Sequence, residues 1–345
     1  MTTKSEVTLP PDSSQVHPVE TTIDPASFES YLAYRRHRVK VEFDAALELY
    51  KSTDDSEGSH RAGKLVECRS YAWFVVHKKT GQVRVASNAC RLRWCPICSQ
   101  ARYNFIRSEV RDYVLSIRSP KFLTLTMRHT STPLSVQVEA LYRHFRLFRQ
   151  HKFISKLIRG GCWFFQIKRS SASKDWHPHL HCLIDADYID KRALSEEWRL
   201  TTGDSFIVDI RSVKEPQKVA DYVSRYCSKP CNLSGFSTED QVTVFDVLHG
   251  RRLCGSFGSG RTISFRPRNT EDRSEWFRCP RWIDILANRG TDRTAKVIWK
   301  AYTTGQPVGA ADLIEIIGPP EDVWKLPAIT WEQLEIEQNF MKGWT

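Results

Sequence analysis

The segment Trp176–Asp185, WHPHLHCLID, places three histidines at alternate positions. Alternate residues of a β-strand lie on the same face of a sheet, so His177, His179 and His181 share one face of the predicted strand. Neutral imidazole is a common ligand of divalent metals, and two of them at this spacing can bind one ion. The alternative is surface or hydrogen-bonded core histidines, which is disfavoured because three of the 11 histidines fall within five positions. The segment therefore predicts a metal site on one face of a strand.

A second predicted strand supplies a candidate third ligand. This strand is Cys162–Arg169, CWFFQIKR, and the SSASKD that follows it is typical of a turn. Gln166 shares a face with Phe164 and Lys168, so in a hairpin its side-chain oxygen could complete the coordination. An oxygen with two imidazoles, leaving positions open, favours Mg²⁺ or Mn²⁺ acting on a phosphate over a structural zinc.

The segments around this hairpin alternate between strand and helix patterns. KFLTLTMRH (121–129) and FIVDIRSV (206–213) predict strands, whereas 133–158, 191–202 and 215–229 have the spacing of helices. Such a mixture predicts an α+β fold with helices flanking a central antiparallel sheet.

The last of these helices carries two tyrosines. Tyr222 and Tyr226 are four residues apart and Lys229 lies three beyond, so the three share one helical face. A phenol with a pKa of about 10 is a poor nucleophile near neutral pH, but a lysine and a metal-polarised phosphate make it competent. Packing of a tyrosine pair on the core is the commoner fate of this pattern, and only the histidine strand favours the catalytic interpretation.

The cysteines predict a zinc site ahead of the sheet. CRLRWCPIC contains Cys90, Cys95 and Cys98, and Cys68 precedes it. The Cys-Pro-x-Cys spacing is typical of half of a zinc site, which requires four ligands. Cys68 and Cys90 are the predicted remaining ligands, with His77 as a competitor for one place. Buried free thiols are the alternative to a metal site.

Composition indicates a polyanionic partner. The 345 residues include 51 Lys and Arg against 40 Asp and Glu, a net charge of +11, and basic side chains displace counterions from phosphates. The predicted DNA-binding residues are those near the cysteines and those interleaved with aromatics on the helix 133–158; they are Arg91, Arg93, Arg102, Arg143, Arg146, Arg149 and Lys152. A solvated helix is an equally good account of the second group.

The remaining patterns concern location and boundaries. The amino-terminal residues lack a secretory pattern and no apolar run reaches the length of a membrane span, so we expect a cytoplasmic protein without a membrane partner. GSFGSGRT (255–262) has Arg261 where a phosphate-binding loop needs Lys, so no nucleotide cofactor is expected. The predicted divisions are a disordered tail (1–27), an N-terminal helix with the zinc-binding segment (28–117), a catalytic domain (118–265) and a C-terminal appendage (266–345). Within the second division, KSTDDSEGSHRAG (51–63) predicts a linker.

Three motifs together resemble the HUH endonuclease superfamily, in particular the rolling-circle replication initiators of plasmids and single-stranded DNA phages. FLTLT (122–126) resembles the first motif, HPHLHCLI (177–184) the metal motif and YVSRYCSK (222–229) the Tyr-x-x-Lys motif. The resemblance implies a ferredoxin-like or RRM-like core with His179 and His181 as metal ligands. The third ligand is often Glu in the family, and here Gln166 stands at that place, with His177 as the other candidate.

The resemblance also implies an activity. Tyr226, which has the complete Tyr-x-x-Lys pattern, is the expected nucleophile that forms a 5′-phosphotyrosine with single-stranded origin DNA, and Tyr222 is a possible second. The released 3′-hydroxyl would prime a host polymerase after a host helicase separates the strands. A transposase or a mobilisation relaxase would share this chemistry. A non-catalytic zinc-containing DNA-binding regulator is the rival of another class, and an unrelated metallohydrolase is least favoured.

Overall fold

Two antiparallel sheets organise the chain, with helices on their faces. The computed structural model describes residues 31–37, 39–53, 56–128, 130–170, 174–215, 218–222, 235–266 and 272–318. The α+β class that the sequence predicts is therefore confirmed. None of the described helices is long and apolar enough to cross a membrane.

The larger sheet has five strands, and the sequence predicts four of them, all except β7, at nearly their observed places. The five strands are β3 (Pro120–Thr126), β4 (Ile158–Arg169), β5 (Trp176–Ala186), β6 (Val208–Ser212) and β7 (Cys254–Gly258). Their order is β6-β3-β5-β4-β7, so the histidine strand β5 occupies the centre. The hairpin of β4 and β5 is confirmed, with Gln166 opposite His179 in the register.

Helices cover both faces of the larger sheet. One face packs on a cluster that includes α5 (Leu134–Gln150), α7 (Lys191–Thr202) and α8 (Thr238–Leu248). The opposite face, which bears the histidines, packs on α4 (Pro96–Ser116) and on the helical residues 218–222. Because side chains alternate along β5, Leu180 and Cys182 enter the first core while His179 and His181 face α4 and residues 218–222.

Two local predictions are wrong. The helix predicted over 133–158 breaks at His151, whose extended backbone separates α5 from α6 (Lys152–Leu157). The stretch after residue 50, predicted as a linker, forms the helix α3 (Ser56–Glu67), which follows α1 (Tyr31–His37) and α2 (Lys40–Ser52). In α3 the buried Leu65 joins the main core, so tertiary packing outweighs the helix-breaking glycines and serines of that stretch.

A smaller sheet joins the two flanks of the chain. It contains β1 (Ala72–His77), β2 (Val83–Ser87) and β8 (Trp276–Arg281) in the order β2-β1-β8. Its inner side packs on α9 (Trp282–Asn288), α10 (Arg293–Thr304) and α11 (Ala310–Ile317). Strands from the predicted segments 28–117 and 266–345 therefore pair with each other, and the boundaries drawn along the sequence stay predictions.

Candidate active site

Three side chains converge on the face of the larger sheet that α4 covers. The Oε1 atom of Gln166 contacts the Nε2 atoms of both His179 and His181, the latter at 2.8 Å. All three are buried, with exposed fractions of 9%, 8% and 5%. The convergence follows from strand register, since Gln166 lies opposite His179 and paired residues of antiparallel strands share a face.

The protonation of His179 indicates what this site accepts. Its Nδ1 lies 3.0 Å from the carbonyl oxygen of His177, which can only accept, so Nδ1 carries a proton and donates. Burial lowers the pKa of His179 to about 4, so the ring is neutral near pH 7 and Nε2 bears a lone pair. In the orientation that the structure gives the Gln166 side chain, that lone pair faces the amide oxygen, which can also only accept. A cation satisfies two facing acceptors, so these side chains fit a divalent metal.

His181 is oriented by two residues to which the sequence assigned no role. Thr124 Oγ1 lies 3.1 Å from His181 Nδ1, and the ring of Phe122 stacks on the imidazole at 5.4 Å between centroids. Burial lowers the pKa of His181 well below its usual value, so this ring is also neutral. Both neighbours belong to the FLTLT motif. Thr124 lies opposite His181 in the register of β3 on β5, and knowledge of that register would have identified both residues as neighbours of His181.

The ligand set contains no carboxylate. Among the described residues, no Asp or Glu side chain forms a compact ligand group with the two histidines. Gln166 is therefore the oxygen donor that the structure brings to His179 and His181. His177, the other candidate, contributes its backbone carbonyl oxygen to the orientation of His179.

Tyr222 lies beside the histidines. Its half-buried ring is 5.6 Å from the imidazole of His181 and 5.7 Å from the ring of Phe122, centroid to centroid. The preceding Asp221 accepts two hydrogen bonds from the guanidinium of Arg107 on α4, one of them at 3.1 Å. This ion pair ties the helical residues 218–222 to α4. Tyr226 and Lys229 lie outside the described residues.

The four predicted cysteines also converge. Sγ of Cys98 lies 3.6 Å from that of Cys68 and 3.7 Å from that of Cys90, and Cys95 Sγ lies 3.8 Å from Cys68 Sγ. Four sulfurs about 2.3 Å from a tetrahedral zinc would be about 3.8 Å apart, so the cluster fits that ion. Hydrogen bonds from Cys68 and the other two thiols lower the pKa of Cys98, which favours the thiolate that zinc binds.

The cysteine cluster is mechanically connected to the active-site face. Cys95 is the N-cap of α4, and its sulfur accepts a hydrogen bond from the backbone N–H of Cys98 at 3.5 Å. A bound zinc would therefore fix the start of the helix that carries Arg107. His77, the competitor for one ligand place, lies instead on β1, where its Nε2 is 3.5 Å from Glu275, so that alternative is wrong.

The predicted DNA-binding residues have different environments. Arg93 donates to the backbone carbonyls of Leu248 and Arg251, and Arg149 stacks on the rings of Phe145 and Phe257. The others are exposed or half-buried: Arg91, Arg102, Arg143, Arg146 and Lys152. Their contact with DNA stays a prediction.

Comparison with known proteins identifies one family. Residues 82–272, more than half of the chain, match a family described as "Replication protein". No curated protein and no solved structure matches the chain significantly. The matched residues include the whole of the larger sheet and three of the four clustered cysteines.

Proposed function

Because the chain belongs to the replication protein family, we propose that this rolling-circle initiator nicks and rejoins single-stranded DNA at an origin through a tyrosine. The observation that carries the proposal is the convergence of Gln166, His179 and His181 beside the ring of Tyr222. A buried, neutral ligand set next to a tyrosine helix is the arrangement that this chemistry requires.

We assign the two imidazole Nε2 atoms and the Gln166 oxygen as ligands of Mg²⁺ or Mn²⁺. When bound, such an ion polarises a phosphate and stabilises the charge that develops at phosphorus. The chain's own contribution is to keep both rings neutral by burial, to fix the tautomer of His179 through the His177 carbonyl and to orient the ring of His181 through Thr124. These three ligands from the described part of the chain leave positions open for phosphate oxygens.

Tyr226 is the proposed nucleophile, and Lys229 is proposed to stabilise the phosphate charge. The place of Tyr222 supports this assignment, since the helix predicted over 215–229 puts a residue four positions later on the same face. In the proposed reaction a bond forms between the phenol oxygen and phosphorus, while the bond from phosphorus to the 3′ oxygen breaks. The phenol proton is lost and the leaving 3′ oxygen gains one, so the phosphodiester energy is retained in the phosphotyrosine and rejoining needs no ATP.

The proposed partners follow from these products. The free 3′-hydroxyl is a primer for a host polymerase, and strand separation is assigned to a host helicase. A transposase or a relaxase would use the same residues, and the family match favours the initiator over both.

The test is covalent trapping. Full-length protein is incubated with single-stranded DNA from its own replicon, with or without Mn²⁺, and resolved by denaturing electrophoresis. The DNA is labelled at its 3′ end, because the strand 3′ of the nick stays attached. We expect a Mn²⁺-dependent adduct that is lost in Tyr226→Phe.

Tyr222→Phe is the matched control, since it removes the same phenol hydroxyl four residues earlier in the sequence. If Tyr226→Phe forms as much adduct as the parent protein, and Tyr222→Phe/Tyr226→Phe also forms the adduct, the tyrosine mechanism is excluded. DNA binding without any adduct would instead favour a non-catalytic regulator in which the histidines are structural.

A further inference from the structure

The outer face of the smaller sheet departs from the usual pattern of a solvated face. Along β1 the even-numbered residues Ala72, Phe74 and Val76 are buried against α9 and α10, and the odd-numbered ones are half-buried. A sheet with one solvated face normally alternates apolar residues inside with polar residues outside. Here the outer positions of β1 include Trp73 and Val75, so a half-buried indole and a half-buried valine occupy positions where polar residues are usual.

Arginines from the flanking strands lie on the aromatic rings of this face. The guanidinium of Arg278 on β8 is 4.6 Å from the ring centroid of Trp73 on β1. The guanidinium of Arg84 on β2 is also 4.6 Å from the ring centroid of Trp276 on β8. Val75 lies between the two arginines in the register, paired with each of them. The outer face, defined as Trp73, Val75, His77, Arg84, Trp276 and Arg278, thus combines two indoles with two cations.

This combination matches the chemistry of nucleic acid. An indole ring stacks on any base, and a guanidinium both stacks on bases and pairs with phosphates. Single strands offer the faces of their bases, whereas in a duplex those faces are covered by neighbouring base pairs. Aromatic rings on the face of a sheet therefore favour binding of the single strand over the duplex.

The outer face is separate from the candidate active site. Five of its six residues, on β1 and β8, lie outside the matched residues 82–272, and only Arg84 on β2 lies within them. Trp73 and Trp276 also belong to the smaller sheet, whereas the histidines belong to the larger one.

We propose that the outer face of the smaller sheet is a second binding surface for single-stranded DNA, on which bases stack against Trp73 and Trp276 and phosphates contact Arg84 and Arg278. The choice of DNA over RNA rests on the proposed function. Through this surface the protein binds the single strand independently of the proposed nicking site.

Binding of labelled oligo(dT) to the full chain, followed by fluorescence anisotropy without added Mn²⁺, tests the proposal. Trp73→Ala and Trp276→Ala should each weaken binding about tenfold, the scale of losing one stacked base. Tyr188→Ala is the matched control, because Tyr188 is 81% exposed and lies outside this face. Equal affinities of the tryptophan variants and Tyr188→Ala would overturn the proposal.

A charge test does not depend on the tryptophan variants folding. The double variant Arg84→Gln/Arg278→Gln should reduce the slope of log affinity against log salt by about 0.7 per arginine. The control is Lys296→Gln/Lys300→Gln, which removes the same charge from exposed positions of α10, on the side of the smaller sheet that the helices cover. An equal change of slope in both double variants would reduce the effect to net charge and overturn the proposal.

Two further outcomes also overturn it. Loss of self-association in the tryptophan variants, with unchanged DNA affinity, would assign the face to a second copy of the chain. An equal loss for duplex DNA would exclude stacking on single strands. Because binding is measured without added Mn²⁺, a failure of the nicking proposal leaves each of these results interpretable.

Discussion

Replacement of Thr124 by Val tests whether the orientation of His181 matters for metal binding. Thr124 Oγ1 is 3.1 Å from His181 Nδ1, and valine keeps the branched shape while removing the hydroxyl. His181 is only 5% exposed, so water cannot readily replace the lost partner. The imidazole then loses this hydrogen-bond partner, and the orientation of its ring is less fixed.

Two independent scales give the same magnitude. Leaving a buried polar atom unpaired costs about 1–3 kcal/mol. Loss of an outer-shell partner of a metal-ligating histidine typically lowers metal affinity by about 10- to 100-fold, or about 1.4–2.7 kcal/mol. We therefore expect Thr124→Val to bind Mn²⁺ at least about tenfold more weakly than the parent.

Titration calorimetry with Mn²⁺ measures the effect, and Thr126→Val is the control. Thr126 lies opposite His179 on the same face of β3, but the Nδ1 of His179 already donates to the carbonyl of His177. The control should therefore bind Mn²⁺ as the parent does. Parental affinity in Thr124→Val, or the same loss in both variants, would refute the orienting role.

Three more predictions concern the two metal sites. Gln166→Ala should weaken Mn²⁺ binding by about tenfold or more, whereas Gln166→Glu should strengthen binding because the carboxylate adds a negative charge. Equal Mn²⁺ affinities of the two variants by calorimetry would exclude Gln166 as a ligand. Cys68→Ser should lower both the zinc content measured by atomic absorption and the melting temperature, while Cys254→Ser, outside the cluster, should retain one zinc per chain. In the metal-free protein, burial lowers the pKa of His179 from 6.5 to about 4. Between pH 6.5 and about pH 4 the unfolded chain therefore binds more protons than the folded protein. The free energy of unfolding, measured in urea, should therefore fall by up to about 3 kcal/mol as the pH drops through this window. An equally steep fall with pH in His179→Gln would show that His179 is not the group responsible.

Much of the candidate site was predictable because it depends on local periodicity. Side chains two apart on a strand share a face whatever the strand pairs with, so the histidine spacing alone placed His179 and His181 together. The Cys-Pro-x-Cys spacing likewise brings Cys95 and Cys98 together at the start of a helix. The charge and the order of the motifs then indicated a DNA-nicking protein.

The contacts between distant segments could not be assigned in this way. The register of β4 on β5, rather than any local pattern, makes Gln166 the oxygen beside both imidazoles. Register is set by the packing of whole faces, and a shift of one residue would turn Gln166 to the other side of the sheet. The same holds for Thr124, which meets His181 only through the pairing of β3 with β5.

The sequence by itself therefore determined which side chains share a face: the alternating histidines on their strand and the closely spaced cysteines at the start of α4. Tertiary structure decided which faces meet. It brought Cys68 to the other three cysteines, made a helix of the predicted linker and paired β1 with β8 from the two flanks of the chain. The physical reason is that residue spacing fixes direction within an element, whereas contacts between elements depend on the burial gained when the whole chain closes on itself.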